Sequence, residues 1–221
     1  MRTSQVTRVI LLAALVAGCS PREETEEIEG PAEGTATIGE APTAHAVALK
    51  QGLRDLWSDH VVWTRDYIVA ATAGHPSAQT ALDRLMTNQE ELGAAIVPYY
   101  GQEAGDRLTA LLKDHIRIAG EVVAAAKAGN ETELQAADQR WHANADEIAT
   151  FLAGANPHWP KADLLSMLND HLALTTQEAT ARLKSDWSAD RTAFDGIYDQ
   201  AMMMADHLAD GIVAQFPNGA P

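Results

Sequence analysis

The sequence predicts an all-α protein, a six-helix bundle built from three antiparallel helical hairpins, and three observations predict it. First, one phrase recurs at a nearly constant interval. Leu56-Trp57-Ser58-Asp59-His60-Val61 is followed by Leu111-Leu112-Lys113-Asp114-His115-Ile116 and Met167-Leu168-Asn169-Asp170-His171-Leu172, with 55 residues from His60 to His115 and 56 from His115 to His171. A fixed period of this length marks a stacked supersecondary unit. Second, from Thr43 onward apolar residues recur at helical spacing, and no run alternates β-branched with polar residues. Third, the periodic segments are separated by recognisable stops.

Those stops place the elements in order. Helices are expected over 44–72, 77–97, 102–128, 131–153, 161–185 and 189–215. Gly74-His75-Pro76 parts the first pair and Pro98-Tyr99-Tyr100-Gly101 the second. Gly129 ends the third helix, and Asn130 with Glu133 forms a capping pair for the fourth. Asn156-Pro157-His158-Trp159-Pro160 interrupts any helix, Ser188 is the expected cap of the last one, and Pro217 ends it. Grouped by the repeat, these make hairpins over 44–98, 102–156 and 161–217, which bury their apolar faces only by packing on one another. In the second arms Asn88 matches Asn144, and Asp206 is the expected third counterpart. On that alignment the third hairpin is seven residues longer than the first, 35 residues from His171 to Asp206 against 28 from His60 to Asn88.

The amino terminus has a different chemistry. Arg2 and Arg8 precede the apolar run Val9–Val16, which is too short for a permanent membrane span and has the form of an export signal. The run closes on Val16-Ala17-Gly18-Cys19, which resembles the bacterial lipobox and contains the only cysteine of the chain. That resemblance implies cleavage after residue 18, an acylated (palmitate-bearing) Cys19, and a membrane partner reached through the lipid. Ser20 after the cysteine implies the outer membrane facing the periplasm in a diderm cell. Residues 19–43 are then an acidic tether: between Ser20 and Pro42 stand seven Glu and one Arg, with almost no large apolar side chain to offset the entropy of ordering. The folded domain is expected over 44–217 without disulfides.

Charge narrows the partners. A formal charge of −15 and a pI near 4.8 exclude a nucleic-acid-binding surface, which needs a basic face. No protein partner is identified by any motif.

The repeated histidines are the candidate site. His60 lies on the inward stripe with Leu53, Leu56, Trp57 and Thr64; His115 with Leu108, Leu111 and Ile118; His171 with Leu164, Met167, Leu168 and Thr175. Three imidazoles at matching heights suit a transition metal (Cu, Zn or Fe) with His60, His115, His171 and Glu178 as ligands, or a small ligand held by the same rings. Glu121, or Asp206 with His207, are alternative ligands. Asp59, Asp114 and Asp170 point about 100° from their histidines and are expected to orient rings on adjacent helices. Asn88 and Asn144 add polarity at the same level. The competing readings are a non-catalytic structural or interaction module with a buried polar network and a metal-dependent enzyme. No Glu-x-x-His pair, covalent-haem motif, His-Glu-x-x-His, phosphate loop or nucleophile elbow occurs.

From Leu56 to Pro217 the chain also resembles a group of small, exported, all-helical bacterial proteins. The stretches that carry the likeness are Trp57–Arg65, Pro98–Gly101, His171–Glu178 and Gln215–Pro217. The resemblance implies the fold and the export, and no activity.

Overall fold

The computed structural model describes residues 43–221; the expected export signal, Cys19 and residues 19–42 of the expected tether lie outside the described residues. Six helices account for the fold: α1 (Ala44–Ala73), α2 (Ser77–Tyr100), α3 (Gln102–Ala128), α4 (Glu131–Ala155), α5 (Lys161–Leu183) and α6 (Trp187–Gln215). No strand occurs among the described residues. Nor is any described helix long and apolar enough to cross a membrane.

The ends follow local chemistry. The Thr43 hydroxyl accepts from the Ala46 amide, and the Asn130 side chain accepts from Glu133. Gly74 and Gly129 take left-handed conformations (φ 70° and 66°) and close α1 and α3. Two expectations are corrected here. Asp186, not Ser188, caps α6, its carboxylate accepting from the Ala189 amide at 3.0 Å. And α2 runs through Pro98 to Tyr100. Proline removes only one N–H of the final turn, and the following residues are tied down elsewhere: Tyr100 Oη donates to Gln215 Oε1 at 3.0 Å, and its ring packs on Trp159 and Phe216.

The helices close into a ring. Each of α2, α4 and α6 packs between two of the three His-bearing helices, and α6 returns to pack on α1. The first arms α1, α3 and α5 also meet one another at the centre. A continuous core fills the axis, with Leu53, Leu108 and Leu164 at one level, Trp57, Leu112 and Leu168 at the next, and Val61 and Leu172 beyond the histidines, where Ile116 is buried too. These sets are spaced as the repeated phrase is, and the similar helix lengths agree with a repeat.

Between α2 and α3, Gly93 and Gly105 let the backbones approach closely. A Cβ on Gly93 would stand 1.9 Å from Thr109 Oγ1 and 2.7 Å from the Gly105 carbonyl oxygen, and the latter is backbone that cannot swing aside. Gly93→Ala is therefore expected to destabilise the bundle by about 1–3 kcal/mol through overpacking. Gly52→Ala, at a helical position with nothing within 4 Å, should stabilise it by about 0.5–1 kcal/mol. Urea denaturation of the two variants beside the parent measures both signs.

Candidate functional site

Where the three first arms meet, the interior turns polar. His60, His115 and His171 are all buried, at 3%, 5% and 4% exposure. The rings of His60 and His171 lie 5.8 Å apart, centroid to centroid.

Each imidazole is held by a side-chain amide from the second arm of its own hairpin. His115 Nδ1 is 2.7 Å from Asn144 Oδ1, and Asn144 Nδ2 donates to the Leu111 carbonyl at 3.1 Å. His171 Nδ1 is 3.1 Å from Gln200 Oε1, and Gln200 Nε2 donates to the Met167 carbonyl at 2.9 Å. In the first hairpin Asn88 Nδ2 donates to the Leu56 carbonyl at 3.0 Å. Leu56, Leu111 and Met167 each stand four residues before their histidine. Each carbonyl already accepts the helical N–H of that histidine and uses its second lone pair for the amide.

The tautomers follow. The Trp141 indole N–H donates to His115 Nε2 at 3.1 Å, so that nitrogen carries a lone pair and Nδ1 carries the proton given to Asn144. Gln200 Oε1 accepts only, which fixes the same tautomer on His171. At His60 the neighbour of Nδ1 is Gln89 Nε2, 3.3 Å away. That nitrogen also donates to the Leu85 carbonyl at 2.8 Å and to Asn88 Oδ1 at 3.1 Å. An amide nitrogen only donates, so His60 Nδ1 is the acceptor of this contact and the proton of that ring lies on Nε2. Beside this ring the buried polar atoms left without a hydrogen-bond partner among the described residues are Trp57 Nε1 and Gln89 Oε1.

Burial makes the layer neutral. His60 is pushed down to about 3 by desolvation first, then by repulsion from His171 and His115. His115 falls to about 4 by desolvation and by His171. His171 is lowered too, by desolvation, against the hydrogen bond to Gln200.

Glu178 lies two turns beyond His171 on α5 and belongs to a different cluster. Arg65 on α1 donates to Glu178 Oε1 at 2.5 Å and holds both oxygens of Asp190 on α6 at 2.9 Å. Arg182 on α5 also donates to Asp190, at 3.1 Å. Desolvation pushes Glu178 up to about 7 in spite of the opposing pull of Arg65. Asp190, carrying two guanidinium contacts, is held below the ordinary aspartate range even though its own burial acts upward.

Set against the sequence expectations, the structure brings the three rings to one level and separates them from most of the rest. Asp59, Asp114 and Asp170 do not orient any histidine. Asp59 pairs with Arg84 at 2.8 Å, Asp114 pairs with Arg117 on its own helix, and Asp170 is exposed. The side chain one residue before an inward histidine is turned out toward solvent, and the amides of the second arms take the role expected of it. Asp206 is not the third counterpart of Asn88 and Asn144: it forms a two-pronged pair with Arg54, both contacts 2.6 Å. That counterpart is Gln200, 56 residues after Asn144 as Asn144 is 56 after Asn88, so no seven-residue excess exists in the third hairpin. Glu121 is engaged by Arg140 at the surface, and His207 is half-buried with Nε2 unpartnered. Of Met202, Met203 and Met204, only the last is in the core. Among the described residues no three His, Cys, Asp or Glu side chains are grouped so as to hold a metal ion. The four-ligand set His60, His115, His171 and Glu178 therefore does not assemble: His115 Nε2 is closed by Trp141, and Glu178 is held by Arg65.

On the Trp57 side of the layer runs an axial cavity of about 40 Å³, walled by apolar side chains of all six helices, among them Leu53, Leu92, Leu112, Ile148, Leu168 and Leu208. Comparison with protein-family models, with curated proteins and with solved structures gives no match to this chain.

The protonation states predict an acid-labile fold. A buried histidine with a lowered pKa contributes its stability fully above 6.5 and loses it as pH falls toward the folded value, because only the unfolded chain takes up the proton. Glu178 has the opposite sign between 4.5 and 7, where only the folded chain holds its proton. His60 and His115 against one glutamate leave about one proton of difference, or roughly 1.4 kcal/mol of stability lost per pH unit between pH 6 and 4.5, and His171 adds to the loss with the same sign. Glu178→Gln removes the opposing group, and the slope of urea-derived stability against pH should steepen by about 1.4 kcal/mol per unit.

Proposed function

We propose that the protein is an envelope-anchored lipoprotein, held at the membrane through acylated Cys19, whose helical domain is a non-catalytic module organised by a buried polar network. The observation that supports the module reading is the recurrent clamp: imidazole Nδ1–H to amide oxygen, and amide N–H to the carbonyl four residues before the histidine, in the second and third hairpins, with Asn88 and Gln89 around His60 in the first. A layer of that kind ties the two arms of each hairpin at one height and penalises any slip, since a displaced helix leaves several buried polar groups unpaired. The void beside the layer supports the same reading. At about 40 Å³ it is far smaller than the roughly 300–1,000 Å³ of ordinary ligand clefts.

The anchoring half of the proposal rests on the lipobox-like Val16-Ala17-Gly18-Cys19 and the acidic segment after it. In a diderm host this places the module at the outer membrane, facing the periplasm.

Two measurements test the two halves separately. Asn144→Leu leaves His115 Nδ1–H and the second lone pair of the Leu111 carbonyl without their partner, and is expected to cost about 2–4 kcal/mol in urea denaturation. A cost below about 0.5 kcal/mol would remove the architectural role. Cys19→Ser should move the protein from the membrane fraction to the soluble fraction after export and abolish its labelling with palmitate. Unchanged membrane association would remove the anchor.

A further inference from the structure

The turn end of the third hairpin carries two features that the other hairpins lack. The first is strain. Each hairpin turns on a residue in the left-handed region: Gly74 at φ 70°, Gly129 at 66° and Ser185 at 58°. The three are 55 and 56 residues apart, so the repeat places them at one position. Glycine adopts that conformation freely, whereas the Cβ of Ser185 crowds the following carbonyl.

The second is a buried acid. Glu178, 1% exposed, stands seven residues after His171, where the first and second hairpins have Tyr67 and Val122. Val122 shows that an apolar side chain fills this place in the repeat. The charged groups facing Glu178 are Arg65 from α1, Asp190 from α6 and Arg182 from α5 itself; among the described residues none from α3 or α4 bears on its charge. Arg65 is shared unequally. Its guanidinium meets both oxygens of Asp190 and one oxygen of Glu178. Arg182 adds a further contact to Asp190. Asp190 is thus compensated twice over, and Glu178 is the group whose charge is least offset.

A buried carboxylate so placed is better solvated outside the bundle than within it. The strained turn lies seven residues further along the chain. Loosening this end of the hairpin therefore hydrates Glu178 and relieves Ser185 together.

We propose that Glu178 is a proton-operated latch on the α5–α6 end of the bundle: protonated, it stays packed against Arg65 with that end closed on α1, and ionised, it releases that end toward solvent. This goes beyond the architectural reading, which concerns the histidine level and stands whether or not the latch operates. The sign is set by burial, which pushes the closed-state carboxyl up to about 7 from an ordinary 4.5. Closure is then favoured fully below pH 4.5, and the advantage is lost as pH rises through about 7.

Hydrogen exchange on the full-length chain between pH 5 and 8.5, corrected for the intrinsic pH dependence of exchange, tests the latch. Protection of the Ala181 and Ala193 amides should fall about tenfold per pH unit up to pH 7 and level off above it. The amide of Ala145, in the core of α4, should not lose protection over the same range. Glu178→Gln keeps the shape and removes the charge, and should reduce the whole fall to less than about twofold. Ser185→Gly should raise protection of Ala181 about threefold at every pH and leave the fall unchanged. No fall in the parent overturns the proposal. So does a fall that survives Glu178→Gln, is shared by Ala145 or is removed by Ser185→Gly. Should Glu178→Gln fail to fold, the side-chain carboxyl ¹³C resonance of Glu178 in the parent decides: a midpoint near pH 7, where the exchange loss levels off, supports the latch, and a midpoint below about 5 overturns it.

Discussion

The bundle depends on one recurring interaction, a neutral imidazole on the first arm of a hairpin gripped by a carboxamide from the second. A neutral imidazole has one proton and one lone pair, so burying it requires one acceptor and one donor. A carboxamide supplies the acceptor and brings an N–H₂ that must itself be satisfied. The helix meets that need at no extra cost in side chains, because the carbonyl four residues back has a free lone pair directly beside the ring. Asn144 with Leu111 and Gln200 with Met167 complete the circuit in this way, and Asn88 reaches Leu56 in the first hairpin. An aspartate in the amide's place would give the acceptor without the donor and bury a charge.

This constraint explains why so apolar an interior tolerates a polar level. Above and below it, the packing of leucine, isoleucine, valine and alanine specifies volume but only weakly specifies height, since apolar contacts are not directional. The clamp is directional. Sliding α4 along α3 by one turn would detach Asn144 from both His115 and Leu111 while leaving much of the apolar contact in place. The level therefore acts as a registration mark for each hairpin, and the close contact of α1, α3 and α5 at the axis brings the three marks to one height.

Much of this was legible in the sequence, and the exceptions have physical reasons. Helical periodicity and the Gly and Pro stops place all six helices within two or three residues. The inward direction of His60, His115 and His171 follows from i+3 and i+4 neighbours, and so does the level of Asn88 and Asn144. Gln200 was masked by its chemistry: it does the work of an asparagine with one more methylene, whereas Asp206 has the more similar shape and lies 35 residues from His171. The outward turn of Asp59, Asp114 and Asp170 was readable from the 100° step, but the partner each meets was not. Arg65 reaching Glu178 across 113 residues and Trp141 reaching His115 Nε2 depend on which helices adjoin, and periodicity along one helix carries no information about that.

The departures from equivalence among the three hairpins are as informative as the likeness. If the layer had to hold each ring in one way only, three identical levels would suffice. Instead the second hairpin supplies its ring with the Trp141 indole N–H, where Leu85 and Ile197 stand in the other two. In the first hairpin the ring meets an N–H of Gln89 rather than an amide oxygen, so the lone pair lies on Nδ1, the opposite sense to His115 and His171. The same hairpin leaves the Trp57 indole N–H and Gln89 Oε1 buried without a partner among the described residues. The registration mark is therefore least complete in the first hairpin, and the third hairpin's ring, 5.8 Å away, packs against that weaker mark.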